Sequence, residues 1–314
     1  MDLELAPQAT GIVHLAMRAM STDVTITVVD GDDALLAWAR DRIDQLEARW
    51  SRFRPTSDIA RLNAAGGGVP VEVSNDTLIA VRAACAAWVH TGGAFDPTVH
   101  DSLLRLGYDE SIEQVRRREA SDAPVVLLPS PGCAGIVIDD RAGCITLPAG
   151  VRLDLGGIGK GLAADLTAEG LAARGAAGAL VDIGGDLRVV GESPRGGAWL
   201  IDLEDPRNER PIATVQLVDG GVATSTTLRR RWCSGHRSHH HIVEPATGSS
   251  TSSAVVGAAV VAGTAAWADA LSKVPFVAPS QLDRLLPASG IVMFEDGTST
   301  SVGPLDIPRR AVAA

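Results

Sequence analysis

A chain of 314 residues, 46% hydrophobic and 21% charged, is too large for a disulfide-stapled miniprotein and too apolar for a disordered or collagen-like chain. The 28 Lys and Arg against 38 Asp and Glu leave a formal charge of −10. That balance argues against unaided nucleic-acid or anionic-membrane binding, because phosphate neutralisation requires clustered cations. Cys85, Cys133, Cys144 and Cys233 form no CxxC pair and read as reduced thiols. The first twenty residues carry no basic segment followed by an apolar run, and no stretch reaches ~18 apolar residues. The expectation is a cytoplasmic protein without a membrane span.

Residues 11–18 and 23–29 alternate apolar and polar side chains around Met20-Ser21-Thr22, which predicts a β-hairpin or two consecutive strands. Leu35, Leu36, Ala39, Ile43, Leu46 and Trp50 recur at helical spacing and predict an amphipathic helix over 33–50. A second helix is expected over 76–90, capped by Ser74 or Asn75 and stopped by Gly92-Gly93. Residues 110–135 read as a peripheral helix and loop, followed by short strands at 135–139 and 143–147. A helix over 160–174 closes at Gly175, and strands follow at 179–183 and 187–190, hinged at Gly184-Gly185. Further strands are expected at 198–203, 211–217, 221–225 and 254–262, then a helix capped by Thr264 that reaches about Val274 before Pro275. No βαβαβ rhythm appears. The fold class is therefore α+β, in layers with a mainly antiparallel sheet, as one domain over 11–303 with loose ends at 1–10 and 304–314.

Four stretches carry chemistry. In Arg152-Leu-Asp-Leu-Gly-Gly-Ile-Gly-Lys-Gly161 an apolar strand is expected to end at Asp154, with glycines and a helix start after it. Glycines let backbone amides approach a ligand, and a helix N-terminus with Lys160 beside it suits phosphate. The spacing matches neither the dinucleotide fingerprint nor the Walker loop, and a glycine-rich turn with a solvated lysine is the plain alternative. Lys160 and Lys273 are the only two lysines. Thr91-Gly-Gly-Ala-Phe-Asp-Pro-Thr-Val99, directly after a helix, suggests a ligand-facing loop, although taken alone an Asx-type turn whose Phe95 fills the core is the preferred reading. Gly221-Val-Ala-Thr-Ser-Thr-Thr227 precedes a loop holding Arg229, Arg230 and Arg231 and four of the seven histidines, His236, His239, His240 and His241. Cys233, His236 and His240 have spacing compatible with zinc, but a solvated run with one functional histidine is the preferred reading. Asp269 and Lys273 stand at i and i+4 on one helix face, either an ordinary acid–base pair or a carboxylate aimed at a metal or phosphate.

Together with Ser57-Asp-Ile-Ala-Arg-Leu-Asn63, Gly184-Gly-Asp186, His241-Ile-Val-Glu-Pro-Ala-Thr-Gly248 and Ala268-Asp-Ala-Leu271, these stretches fall in an order that resembles ApbE-type FAD:protein FMN transferases over about residues 17–295. The resemblance implies a T-fold-like α+β core that holds FAD. It implies transfer of FMN to a threonine or serine hydroxyl of an acceptor flavoprotein, release of AMP, and assistance from Mg²⁺. Carried onto this sequence, it assigns flavin and pyrophosphate contacts to Ala94, Phe95, Asp96, Asp154, Gly156, Gly157 and Lys160, and nucleotide contacts to Gly184, Gly185 and Asp186. Met20, Ser21, Thr224 and Ser225 join the same set. His241 and Lys160 take the catalytic roles, and Asp269 with the Gly159 carbonyl takes the magnesium. The chain departs from the family pattern at Gly159 for Ala, Thr226 for Gly, Glu244 for Asp and, most notably, Lys273 for a metal-ligating Thr. An ammonium has donors only and cannot ligate a cation. Either Asp269 and water hold Mg²⁺, or Lys273 takes its place. Alternatives to transfer are FAD hydrolysis to FMN and AMP, or FAD binding without turnover.

Overall fold

The computed structural model describes residues 11–118, 126–234 and 237–303. The expectations for the two ends, for His236 and for part of the 110–135 loop lie outside the described residues. The predicted hairpin forms as β1 (Ile12–Ala19) and β2 (Thr22–Val29), turned by Met20 and Ser21 at φ of 50° and 58°. Two successive left-handed residues match the twist of a tight hairpin, and without glycine there the turn carries backbone strain. Six more strands follow: β3 (Gly178–Ile183), β4 (Asp186–Gly191), β5 (Gly220–Thr226), β6 (Val255–Ala262), β7 (Ser289–Phe294) and β8 (Ser299–Val302). They complete an eight-stranded sheet in which every strand pairs antiparallel with its neighbour in chain order.

Helices are inserted between these strands. α1 (Asp33–Trp50) buries Leu36, Ala39, Ile43, Leu46 and Trp50, and its Asp32 cap accepts the Leu35 amide at 2.9 Å. α2 (Asp58–Ala64) and α3 (Asn75–His90) begin at the serine caps Ser57 and Ser74. Short helices α4 (His100–Arg105) and α5 (Ile112–Arg117) follow, then α6 (Gly159–Ala172), α7 (Ala265–Leu271) and α8 (Val274–Val277). α1, α3 and α6 share one core with the inward residues of β2 and β3. The other sheet face takes a hairpin, Trp199–Asp205 with Arg210–Leu217, whose Trp199, Ile201 and Leu203 pack on Leu187, Val189 and Val222. Strand alternation explains how one segment serves both layers. Arg188, between Leu187 and Val189, sets its Nε 3.2 Å from Oδ1 of Asp165 in α6.

Three expectations change. The run ending at Asp154 forms no strand: residues 151–155 pair with no other strand. Val151, Leu153 and Leu155 are buried as in a strand. Their backbone is held instead by Asn63, which donates to the Leu153 carbonyl at 2.9 Å and accepts its amide at 2.8 Å, and by the Pro97 carbonyl. The histidine run is not a loop; Arg231–Ser234 and Arg237–His240 pair as a hairpin, anchored by Trp232 Nε1 donating to the Leu106 carbonyl at 2.6 Å. The helix after Thr264 ends at Leu271, because Pro275 cannot continue an amide ladder, and α8 starts anew. No helix among the described residues is long and apolar enough to cross a membrane.

Candidate active site

A cavity of about 500 Å³ opens where the β1–β2 turn, the loop after α3, the start of α6 and the ends of β3, β4 and β5 converge. The structure brings every expected flavin contact to its wall: Met20, Ser21, Ala94, Phe95, Asp96, Asp154, Gly156, Gly157, Lys160, Gly184, Gly185, Asp186, Thr224, Ser225 and His241, with Gly159 beside them. Asp269 lies behind the wall, fully buried, under Lys160 and Lys273.

Each loop has its own local cause. Thr91, the last cap of α3, donates its hydroxyl to the Ala87 carbonyl and accepts the Phe95 amide at 3.0 Å, which turns the chain into the cavity. Asp96 accepts the Thr98 amide and hydroxyl at 2.8 and 2.6 Å, and burial lifts its carboxyl above the usual range. Phe95 stands against Gly157, where a Cβ would come within 3.1 Å of its ring. The β3–β4 turn is set by Asp182, whose carboxylate accepts the Gly185 amide at 2.7 Å, with Gly184 and Gly185 at φ of 68° and 90°. A side chain at Gly184 would strike Thr22 in the neighbouring turn. Asp154 is committed to structure: it accepts the Gly156 amide at 2.6 Å and pairs with Arg52 Nε at 3.0 Å, both side chains nearly buried.

The electrostatic centre lies between α6 and α7. Lys160 forms an ion pair with Asp186 and lies 3.9 Å from Oδ2 of Asp269. Burial lowers its ammonium to a pKa of about 8, although Asp269 opposes the change. Lys273 pairs with Oδ1 of Asp269 and donates to the Asp269 carbonyl at 2.7 Å and the Ser272 hydroxyl at 3.3 Å. Burial disfavours the Asp269 carboxylate, but the charges of Lys160 and Lys273 outweigh it and hold the group below the usual range. His241 is half-buried, and its Nδ1 finds no partner among the described residues. Burial, then the charges of Arg230 and Lys273, hold it well below the ordinary histidine range, so it is a neutral base.

The donors around Asp269 do not suit a divalent cation. Its Oδ1 and its carbonyl are taken by the Lys273 ammonium, and its Oδ2 accepts the Gly161 amide at 3.3 Å. A hard cation needs about six oxygens at short range, and here two ammonium groups border the same carboxylate. The zinc reading likewise finds no support in the described part of its trio: Cys233 is exposed, while His240 is buried with Nε2 on the Thr251 carbonyl at 3.0 Å.

Sequence reading missed several wall residues. Arg52 lies over the Phe53 and Tyr108 rings at 4.3 and 4.6 Å, and all three line the cavity. The chain's single tyrosine was the available signal. Arg230 also lines it, but nothing in a triple-arginine run tells which member turns inward. Asp202 and Glu204 reach it from the covering hairpin.

Comparison with known proteins gives a consistent picture. The ApbE family model matches residues 20–290. An FAD:protein FMN transferase of Haemophilus influenzae is 26% identical over 246 residues, which are 73% of this chain and 70% of that one. One from Treponema pallidum is 29% identical over 208 residues, 60% of this chain and 56% of the relative. Among solved structures, the ApbE protein of Thermotoga maritima has a TM-score of 0.77 at 26% identity, covering 92% of this chain and 96% of its own. The flavin transferase ApbE of Vibrio cholerae, at 24% identity and a TM-score of 0.72 over 93% of this chain and 97% of that one, shares the fold.

Proposed function

From the premise that the chain belongs to the ApbE family, we propose that it transfers the FMN half of FAD to a serine or threonine hydroxyl of an acceptor protein and releases AMP. The observation that carries the reading is the meeting of an unprotonated His241 and the Lys160 ammonium on the wall of one cavity that also gathers the glycine turns.

The hydroxyl oxygen of the acceptor bonds to the FMN phosphorus, and the bridging P–O bond to the adenylate half breaks. AMP leaves with the bridging oxygen, and the hydroxyl proton passes to His241. A histidine held below its ordinary range takes that proton at neutral pH without first losing one of its own. Lys160, at the positive end of the α6 dipole, faces the charge that develops on the phosphoryl oxygens. Gly156, Gly157, Gly184 and Gly185 let the backbone come close to the dinucleotide. Phe95 offers an apolar face to the flavin. Asp154 orders the 154–157 turn from behind. Magnesium has no step here, since the oxygens of Asp269 already accept from Lys273 and Gly161.

The test is incubation of the purified chain with FAD and an acceptor carrying an Asp-x-x-Ser/Thr-Gly/Ser-Ala-Thr segment. The expected result is flavin fluorescence on the denatured acceptor, AMP in equal amount, and a loss of roughly 10²–10⁴-fold in His241→Ala. FAD binding without AMP refutes transfer, and AMP formed equally without acceptor makes the activity hydrolysis.

A further inference from the structure

The cation that neutralises the dinucleotide can be read from the α6–α7 contact. Lys273 spreads its donors over Oδ1 and the carbonyl of Asp269 and the hydroxyl of Ser272. Those oxygens, one carboxylate, one carbonyl and one hydroxyl, are the kind of set a hard cation would gather. Oδ2 is occupied by the Gly161 amide, with Lys160 at 3.9 Å. A divalent ion bound to Asp269 would have to displace the ammonium and then sit beside the second lysine. Lys273 is itself on the cavity wall, and its stem runs past Gly157, where a Cβ would meet its Cε at 3.4 Å. Lys160 and Lys273 together bring two positive charges to the place, as many as one divalent cation brings.

We propose that Lys273 is this protein's built-in replacement for the divalent cation, so that its ammonium with that of Lys160 holds the FAD pyrophosphate and the protein works without metal. The inference rests on the FAD reading above and adds to it how the diphosphate charge is met. Asp269 then serves as a buried counter-charge that aims Lys273 from one side and steadies Lys160 from the other. It ligates nothing.

The experiment uses metal-stripped full-length protein and three readouts: FAD affinity by calorimetry in EDTA and in magnesium, Mn²⁺ binding by electron paramagnetic resonance with and without FAD, and AMP release with acceptor. The wild type is expected to hold FAD with the same affinity in both buffers, within about twofold, and to bind Mn²⁺ no better than FAD alone does; a charge-assisted contact survives chelation. Lys273→Met loses FAD affinity by roughly 10- to 100-fold, the weight of one hydrogen bond to a charged group, and magnesium does not restore it. Lys273→Thr loses it in EDTA, recovers it in magnesium, and gains a bound Mn²⁺ signal. Lys273→Arg stays metal-independent. Should Lys273→Met fail to fold, Asp269→Asn with Lys273→Met removes both charges and carries the same affinity readout. Wild-type FAD affinity that collapses in EDTA, or Mn²⁺ held tightly by the wild type, overturns the proposal whatever AMP does. Metal-free, Lys273-dependent FAD binding with no AMP in the presence of acceptor upholds it while refuting transfer. Absence of FAD binding in both buffers overturns both.

Discussion

Gly161→Ala tests whether the closeness of α6 and α7 is what builds the site. A Cβ at position 161 would lie 2.3 Å from the Ala265 carbonyl oxygen and 2.6 Å from its carbon, both backbone atoms that cannot rotate away. Ordinary carbon–oxygen contacts begin near 3.3 Å, so the helices must part by about 1 Å. Two effects compete. Alanine favours the helix by about 0.5–1 kcal/mol over glycine. Over-packing costs about 1–3 kcal/mol, and stretching the Gly161 amide bond to Oδ2 of Asp269, already 3.3 Å, weakens a contact to a charged group that is worth about 1.5–3 kcal/mol. The clash wins, for a net loss of about 2 kcal/mol and a fall in Tm of roughly 3 °C for a chain of this length. The effect on function should be larger, because a displacement of about 1 Å at a reacting centre can lower turnover by about 10²-fold. Urea unfolding followed by tryptophan fluorescence, with FAD calorimetry and AMP release, measures all three. Gly263→Ala, where nothing lies within 4 Å of the added carbon, is the control and should behave as wild type. A Gly161→Ala protein with wild-type stability, FAD affinity and turnover would refute the argument that this contact sets the geometry.

Three further outcomes are expected. The Lys160 ammonium exists below its pKa of about 8 and is lost above it, so kcat/KM should fall on the alkaline side from about that pH. His241 is held well below its ordinary range by burial, so the acid limb should lie below pH ~6.5; a profile with no alkaline limb contradicts the role of Lys160, and an acid limb above neutrality contradicts that of His241. Asp165→Ala strips the Ala265 and Ala266 amides of their 2.8 Å acceptor, while Arg188 keeps Asp219 at 2.5 Å; urea titration should show a loss of roughly 2–4 kcal/mol from the two unpaired amides. Arg52→Met leaves the buried Asp154 carboxylate without its cation, which should destabilise the fold by about 3 kcal/mol or more, with Asp154→Asn in the same chain restoring most of it. If the double variant is no more stable than Arg52→Met alone, the pairing is not the cause.

The sequence was most legible where one period decides the outcome. α1 could be read to its ends because Leu36, Ala39, Ile43, Leu46 and Trp50 keep helical spacing and all five are buried. β1, β2 and β6 were legible through alternation or an unbroken apolar run. Residues 151–155 misled for the same reason: the apolar side chains alternate as in a strand, yet the partner is the amide side chain of Asn63 in α2, far away in sequence. α4, β7 and β8 were not read at all. α4 spans only His100–Arg105, too short for a period, and β8 is exposed along most of its length. In the site, glycine clusters and the two lysines marked stretches that meet on the cavity wall. The Arg52, Phe53 and Tyr108 wall offered no motif beyond the lone tyrosine, since it is assembled from a helix exit and a separate loop.

The placement of charge in the site follows from the placement of two helix starts. α6 presents Lys160 at its second residue, α7 presents Asp269, and Lys273 stands just past the end of α7, at the cap of α8. Gly161 sets how near the two helices come, and Asp165, one turn further along α6, caps the first amides of α7. Displacing either contact therefore moves a cation and its counter-charge together. Within the protein the cations are matched, Lys160 by Asp186 and Lys273 by Asp269. In the proposed complex the pyrophosphate must compete with Asp186 for Lys160, whereas Lys273 can keep both Asp269 contacts and redirect the proton it now gives the Ser272 hydroxyl. The two lysines thus differ in what binding demands of them. Removing the Asp186 carboxylate as Asp186→Asn should tighten FAD, while removing the Asp269 carboxylate as Asp269→Asn should loosen it. If calorimetry finds the same sign for both, the two carboxylates do not play opposite parts.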